Sequence, residues 1–219
     1  MFNFILQLTP DIFCAESSDL LQYVLDYKGY DSYTELSSYI DFSRYKENIL
    51  SNFSQGKRTN VNNCIKVGFE CRRLISATDI REFYNILCIS LAKYHVHPVH
   101  TVGELIDFVD NRLPDNVSFW GIYDGHKMIA GSMLFYFSRE VAHTQYLAAL
   151  PEYARWSPMT FLYYSMIKHV KDLGYKKLSF GVSTENHGSV VNIGLTTAKE
   201  LYGSCHIVHR TYFKELSTE

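Results

Sequence analysis

The chain lacks any apolar run near the ~20 residues that a bilayer-spanning helix needs, so no membrane insertion is expected. It also lacks a charge excess: 21 Lys and Arg stand against 23 Asp and Glu, a formal net charge of −2. That balance excludes the global electrostatic footprint of a nucleic-acid or anionic-membrane binder, while leaving room for a local basic patch. Paired cysteines are missing too. Cys14, Cys64, Cys71, Cys88 and Cys205 are scattered, odd in number and form no C-x-x-C. This argues against a disulfide framework and a thiolate zinc site, and it fits a reducing compartment. Residues 1–8 are apolar but carry no basic leader and run into Pro10, Asp11 and Glu16, a poor signal peptide. A cytoplasmic location is therefore expected. No internal repeat appears, and no G-x-S-x-G elbow supports a hydrolase.

What is present is a chain of 219 residues, 47% hydrophobic, enough for one large domain or one domain plus a fragment. Its first sixty residues are the least regular, with short elements around 20–25 and 38–42. A helical pattern over 43–53 is broken at Gly56, and a second runs from Lys57 to near Gly68. Lys57, Arg58, Lys66, Arg72 and Arg73 read as a solvated helix face more readily than as a phosphate site. A strand over 69–75 precedes a helix capped by Ser76 or Thr78, with Ile80, Phe83, Leu87, Leu91 and Tyr94 on one side. Thr101 and Glu104 form a capping box for the next helix, which stops before Pro114.

Between these helices stand His95, His97 and His100. Neutral imidazoles are good metal ligands. Pro98 keeps the segment extended, however, and no carboxylate or thiol accompanies it, so no metal is expected. The loop instead lines a cleft, through His95, or caps the helix pair. Strands at 117–123, 127–137 and 141–150 follow as an antiparallel meander, with Asp124-Gly125 as a hairpin signal and Gly131 marking a bulge or a close approach. Alternation places His143 and Gln145 on one face of the last strand and Tyr146 on the other. Ser157 and Pro158 open a helix that Gly174 ends.

The stretch 178–203 reads as a strand, a polar turn of Ser183, Thr184, Glu185, Asn186 and His187, and a helix with Val191, Leu195, Ala198 and Tyr202 on one stripe. Gly203 closes it, and a strand over 206–213 ends the pattern. Polar groups at the carboxyl end of a strand, beside helix N-terminal amides, are placed where α/β sheets bind ligands.

Four segments within this order of elements carry a family resemblance: Asp124-Gly125 with Ile129-Ala130-Gly131-Ser132, His143-Thr144-Gln145-Tyr146, Phe180-Gly181-Val182-Ser183-Thr184-Glu185, and Lys199-Glu200-Leu201-Tyr202-Gly203. They resemble the GNAT acyltransferase superfamily, in the branch of the Fem-type (FemAB) peptidoglycan aminoacyltransferases and BioF2-like acetyltransferase domains. The resemblance implies an α/β (α+β) fold with a mixed, mainly antiparallel central sheet flanked by helices. It implies a short first-lobe remnant and helical linker over 1–64 and an acyltransferase domain over 65–219. Fem-type proteins carry two lobes, so either a partner subunit, as in a homo-oligomer, completes this chain or it is a shortened member.

The implied activity is transfer of an acyl group to the amine of a small molecule, possible acceptors being a sugar or a cell-envelope precursor, with acetyl-CoA or another acyl-CoA as donor. Aminoacyl transfer from charged tRNA and a non-catalytic binding module are the alternatives. Glu185 is the implied base, His143 its competitor, and Tyr146 or Tyr202 a proton donor. Gln145, Ser183, Thr184, Lys199, Tyr202 and His95 would bind substrate. Ordinary members hold the coenzyme A pyrophosphate in a glycine-rich turn, which is replaced here by the glycine-free residues 151–158. Arg155, Ser157 and helix-start amides would serve instead.

Overall fold

A computed structural model describes residues 2–137 and 140–216. In chain order the elements are β1 (Phe2–Gln7), α1 (Asp19–Tyr27), β2 (Asp31–Asp41), α2 (Gln55–Val67), β3 (Glu70–Leu74), α3 (Ala77–Ala92), α4 (Val102–Asp107), β4 (Val117–Asp124), β5 (Lys127–Phe137) and β6 (Val141–Ala149). They continue with α5 (Pro158–Asp172), β7 (Lys177–Val182), the two-residue strands β8 (Thr184–Glu185) and β9 (Val190–Val191), α6 (Ile193–Glu200) and β10 (Cys205–Leu216). Eight strands form one sheet in the order β1-β10-β2-β7-β6-β5-β4-β3, and β8 pairs with β9 apart from it. Every neighbouring pair in the large sheet is antiparallel except β6 with β7. This is the expected mixed, mainly antiparallel sheet with flanking helices.

Local chemistry accounts for the helix ends. Ser76 with Asp79, and Thr101 with Glu104, make reciprocal capping boxes at α3 and α4. Gly68 takes a left-handed conformation, φ 90°, to close α2. Neighbouring residues of β5 go to separate cores. Leu134 packs with Leu162, Met166 and Ile167 of α5, while Met133 packs with Phe83 and Leu87 of α3 and Leu105 of α4. The close approach expected at Gly131 is real, since a Cβ there would lie 2.4 Å from Phe83 Cδ2. A third, small cluster of Leu8, Leu25 and Tyr212 seats α1. Among the described residues no helix is long and apolar enough to cross a membrane.

Three expectations change. The helical pattern over 43–53 folds as two short 3₁₀ turns, Phe42–Arg44 and Ile49–Asn52. The side chains of Asp41 and Asn48 accept from amides two residues ahead, a local alternative that competes with an α-helix. Ser157 precedes Pro158 as expected but caps nothing. It is left-handed, φ 54°, and its hydroxyl accepts from Asn60 Nδ2 at 3.2 Å. Val191 lies in β9 rather than on α6, because Asn192 caps the Leu195 amide and starts the helix later. In the large sheet β2 sits between β10 and β7, and β1 flanks β10.

Candidate functional site

β6 and β7 run parallel for only three pairs, Val141 with Lys177, Ala142 with Leu178 and His143 with Ser179. Two side-chain bonds close the last pair: His143 Nδ1 lies 3.1 Å from Ser179 Oγ, and Thr144 Oγ1 donates to the Ser179 carbonyl at 3.2 Å. Beyond it each strand bulges. Thr144 faces Leu134 and Tyr146 faces Met133, which leaves Gln145 as an extra residue on β6. On β7, Ser179 faces Tyr39 and Gly181 faces Ser38, so Phe180 is extra, and Gly181 adopts φ 71°. The two strands therefore part at one level.

A cleft of about 460 Å³ opens in this fork. Thr144, Gln145, Phe180 and Val182 line it from the strands, Met159, Thr160 and Tyr163 from α5, Leu195 and Ala198 from α6, and Leu91, Lys93 and Tyr94 from the end of α3. A second hollow of about 420 Å³ runs along the turn Pro151–Trp156 and shares Ser90, Lys93, Met159 and Thr160 with the first. Neither hollow has a carboxylate or an imidazole among its described lining residues.

Three lysines reach the cleft. Lys57 of α2 is half-buried, with Nζ 4.6 Å from the centre of the Tyr202 ring. Burial lowers its pKa, and it makes no ion pair among the described residues. Lys93 is exposed at the junction of the hollows. Lys199 is buried, and burial lowers its pKa to about 8. It donates to the Gly181 carbonyl at 2.9 Å, the Val182 carbonyl at 3.0 Å and Ser183 Oγ at 2.8 Å. An ammonium has three donors, and all three are spent on the bulged end of β7. Tyr202 stacks on Tyr163, ring centres 4.6 Å apart, and its hydroxyl donates to Thr160 Oγ1 at 3.3 Å. Burial pushes the Tyr202 phenol up to about 12.

Of the residues expected to form the site, Gln145, Lys199 and Tyr202 line the cleft and Ser157 lines the adjoining hollow. The rest lie elsewhere. Ser183 is buried against Lys199, and Thr184 Oγ1 accepts from the Leu36 amide at 3.2 Å. Glu185 is exposed on β8, where its carboxylate accepts from Asn192 Nδ2 at 3.0 Å. His143 is edge-on to Phe13 and hydrogen-bonded to Gln145, and it is not among the residues that line the cleft. Its pKa falls to about 4, first through burial and then through the charges of Lys199 and His209, against a side-chain hydrogen bond with Gln145 that raises it. Tyr146 bonds His100 Nδ1 at 2.7 Å. His95 is exposed, with φ 56°, and lines neither hollow. The Arg155 guanidinium lies 5.1 Å from the Trp156 ring centre.

Sequence reasoning missed Lys57, Thr160 and Tyr163 as cleft residues. Thr160 and Tyr163 are three apart on α5, one helical face, and that spacing was the available signal.

No curated protein matches the chain. Among solved structures, FemX superimposes with a TM-score of 0.72 at 13% identity, covering 94% of this chain and 71% of that one. The C-terminal domain of a putative lysylphosphatidylglycerol synthetase from Agrobacterium fabrum gives 0.65 at 12% identity, and L-PGS from Bacillus licheniformis gives 0.66 at 12%. Each of these two covers 90% of this chain, which spans 65% of their length. At such identities the likeness is one of fold. A family model described as an acetyltransferase (GNAT) domain matches residues 56–188, a stretch that runs from α2 through the fork between β6 and β7. That match takes in more than half of the sequence, and the chain belongs to the GNAT acetyltransferase family, with the fold of its Fem-like branch.

Proposed function

We propose that the protein is an N-acyltransferase that takes its acyl group from a phosphate-bearing carrier, an acyl-CoA in the leading case, and passes it to the amine of a small acceptor. The observation that carries this reading is the forked cleft, which offers lysines and hydroxyls to a ligand and no carboxylate among its described lining residues. The bulge at Gln145 frees main-chain groups of β6 beside the cleft, and amides so placed polarise an acyl carbonyl. The amine attacks that carbonyl, an amide bond forms and the carbon–sulfur bond of the thioester breaks. Tyr202 stays protonated through burial and, with Thr160, supplies a hydroxyl pair that can return a proton to the leaving sulfur. No lining carboxylate or imidazole takes the acceptor's proton, so the amine enters neutral or loses its proton to water.

An acyl-CoA would lay its pantetheine arm in the fork and its phosphates along the Pro151–Trp156 turn, within reach of Lys93 and Arg155. The fit there is one of side chains rather than amides. Pro158 has no N–H to offer, and the Thr160 amide is bonded to the Ser157 carbonyl at 2.8 Å. This weak amide cradle favours, as a second reading, an aminoacyl ester of tRNA, whose phosphates need cations and not a diphosphate nest. A sugar or cell-envelope precursor remains the proposed acceptor class.

Thermal denaturation with coenzyme A, acetyl-CoA or a deacylated tRNA mixture tests the donor. A ligand at 100 times its Kd stabilises by about 2.7 kcal/mol, worth roughly 5–10 °C for a chain of this size. A shift with coenzyme A species supports the first reading and a shift with tRNA alone the second. No shift with either rules out both and leaves a binding module.

A further inference from the structure

The acyl-transfer reading leaves open what the acyl group is, and the following inference rests on that reading. The cleft is chemically lopsided. Lys93 stands where it meets the second hollow and Lys57 lies over the Tyr202 ring, whereas the rest of the α6 side is walled by Phe180, Val182, Leu195 and Ala198. Lys199 belongs to the same wall yet directs its ammonium away from it, into the Gly181 and Val182 carbonyls and Ser183. Leu195 leads outward to apolar side chains left in water beside it in sequence: Ile193 is 73% exposed, Val191 48% and Val190 44%. Apolar side chains thus continue in sequence from the Leu195 wall of the cleft into water.

We infer that the transferred acyl group carries an aliphatic chain of several carbons, seated on the Val182–Leu195–Ala198 wall. An acetyl methyl would leave that wall in contact with water, and covering it is the favourable step. The occupant has to be anionic at one end, reactive at the fork and apolar beyond it, which is the order of groups in a fatty acyl thioester. The reaction is unchanged: the amine gains the acyl carbon, and the thiol leaves with a proton. An acceptor with an apolar arm would present the same chemistry from the other substrate, so the test contains no acceptor.

Isothermal titration with acetyl- and octanoyl-CoA, and with acetyl- and octanoyl-pantetheine, which lack the nucleotide, reads the wall directly. Full burial is worth about four-fold in affinity per methylene, so octanoyl forms should bind at least about ten-fold more tightly than acetyl forms. Ala198→Phe fills the wall and should cut that ratio to near one. Leu195→Asp, at a position 39% exposed and so tolerant of charge, should cut it as well. Equal binding of octanoyl and acetyl forms overturns the inference, as does a ratio that survives both substitutions. If neither CoA ester binds while octanoyl-pantetheine outbinds acetyl-pantetheine, the donor reading fails and the wall assignment stands. If octanoyl-pantetheine has no advantage, the assignment fails whatever coenzyme A does.

Discussion

His143 and Ser179 form the last rung of the parallel ladder between β6 and β7, imidazole Nδ1 3.1 Å from the serine hydroxyl. The fork that opens beyond them depends on a histidine that burial holds neutral. His143 has a folded pKa of about 4 against an ordinary value of 6.5, so between those limits the unfolded chain binds the extra proton. Its contribution is fully present above pH 6.5 and is lost as pH falls toward 4, to a total on the order of 3 kcal/mol. Urea unfolding at pH 7.5 and 5.0 should show the loss, and His143→Gln should flatten the slope. An unchanged slope in the variant would assign the acid sensitivity to His169 and His209, whose pKa values burial also lowers.

Glu185 has the residue type of a base, but it is exposed and bonded to Asn192. Glu185→Gln should keep turnover within about two-fold, against the ten-fold or greater loss typical of a removed general base. Steady-state rates at saturating acceptor decide the matter. A ten-fold loss would mean that the β8–β9 hairpin folds over the cleft during reaction.

Lys199→Met removes the partner of two main-chain carbonyls at the end of β7. Leaving buried acceptors unsatisfied costs about 1–3 kcal/mol each, so the melting temperature should fall by several degrees, and the fork should lose its shape along with its activity. A variant with native stability and no turnover would show instead that the ammonium acts on substrate.

Lys57→Met removes a half-buried cation with no carboxylate partner among the described residues. Charge-assisted bonds are worth about 1.5–3 kcal/mol, so a phosphate-bearing donor should bind about ten-fold or more weakly, while stability changes little. Titration at two salt concentrations checks this, because an electrostatic contact weakens with salt and a packing role does not.

Gly131→Ala should destabilise by about 1–3 kcal/mol through overpacking, since the new Cβ would meet Phe83 at 2.4 Å and the Trp120 carbonyl at 3.1 Å. Chemical denaturation gives the number, and a neutral effect would mean that the Phe83 ring can turn aside.

The parts legible in the sequence were local ones. The cap at Ser76, Thr101 with Glu104, and Asp124-Gly125 each act within a few residues, and the helices and meander they bound appear where expected. β2 was hard to see because its sequence, DSYTELSSYID, is largely polar on both sides and is held mainly by pairing with β10 and β7, with Ile40 in the core. The bulge at Gln145 is a property of two strands and not of one, so the opening of the fork beside it could not be read from β6 alone. Lys57 on α2 and Tyr163 on α5 meet at the cleft from over a hundred residues apart, and residue type alone marks neither.

The insertion of β2 between β10 and β7 also sets an order of events in folding. Residues 177–182 must reach back to residues 31–41 before β7 has a neighbour on the side away from β6. Such long-range closure is slow. One wall of the cleft is therefore finished late, and a fragment restricted to 65–219 would present β7 as a bare edge open to pairing with other chains.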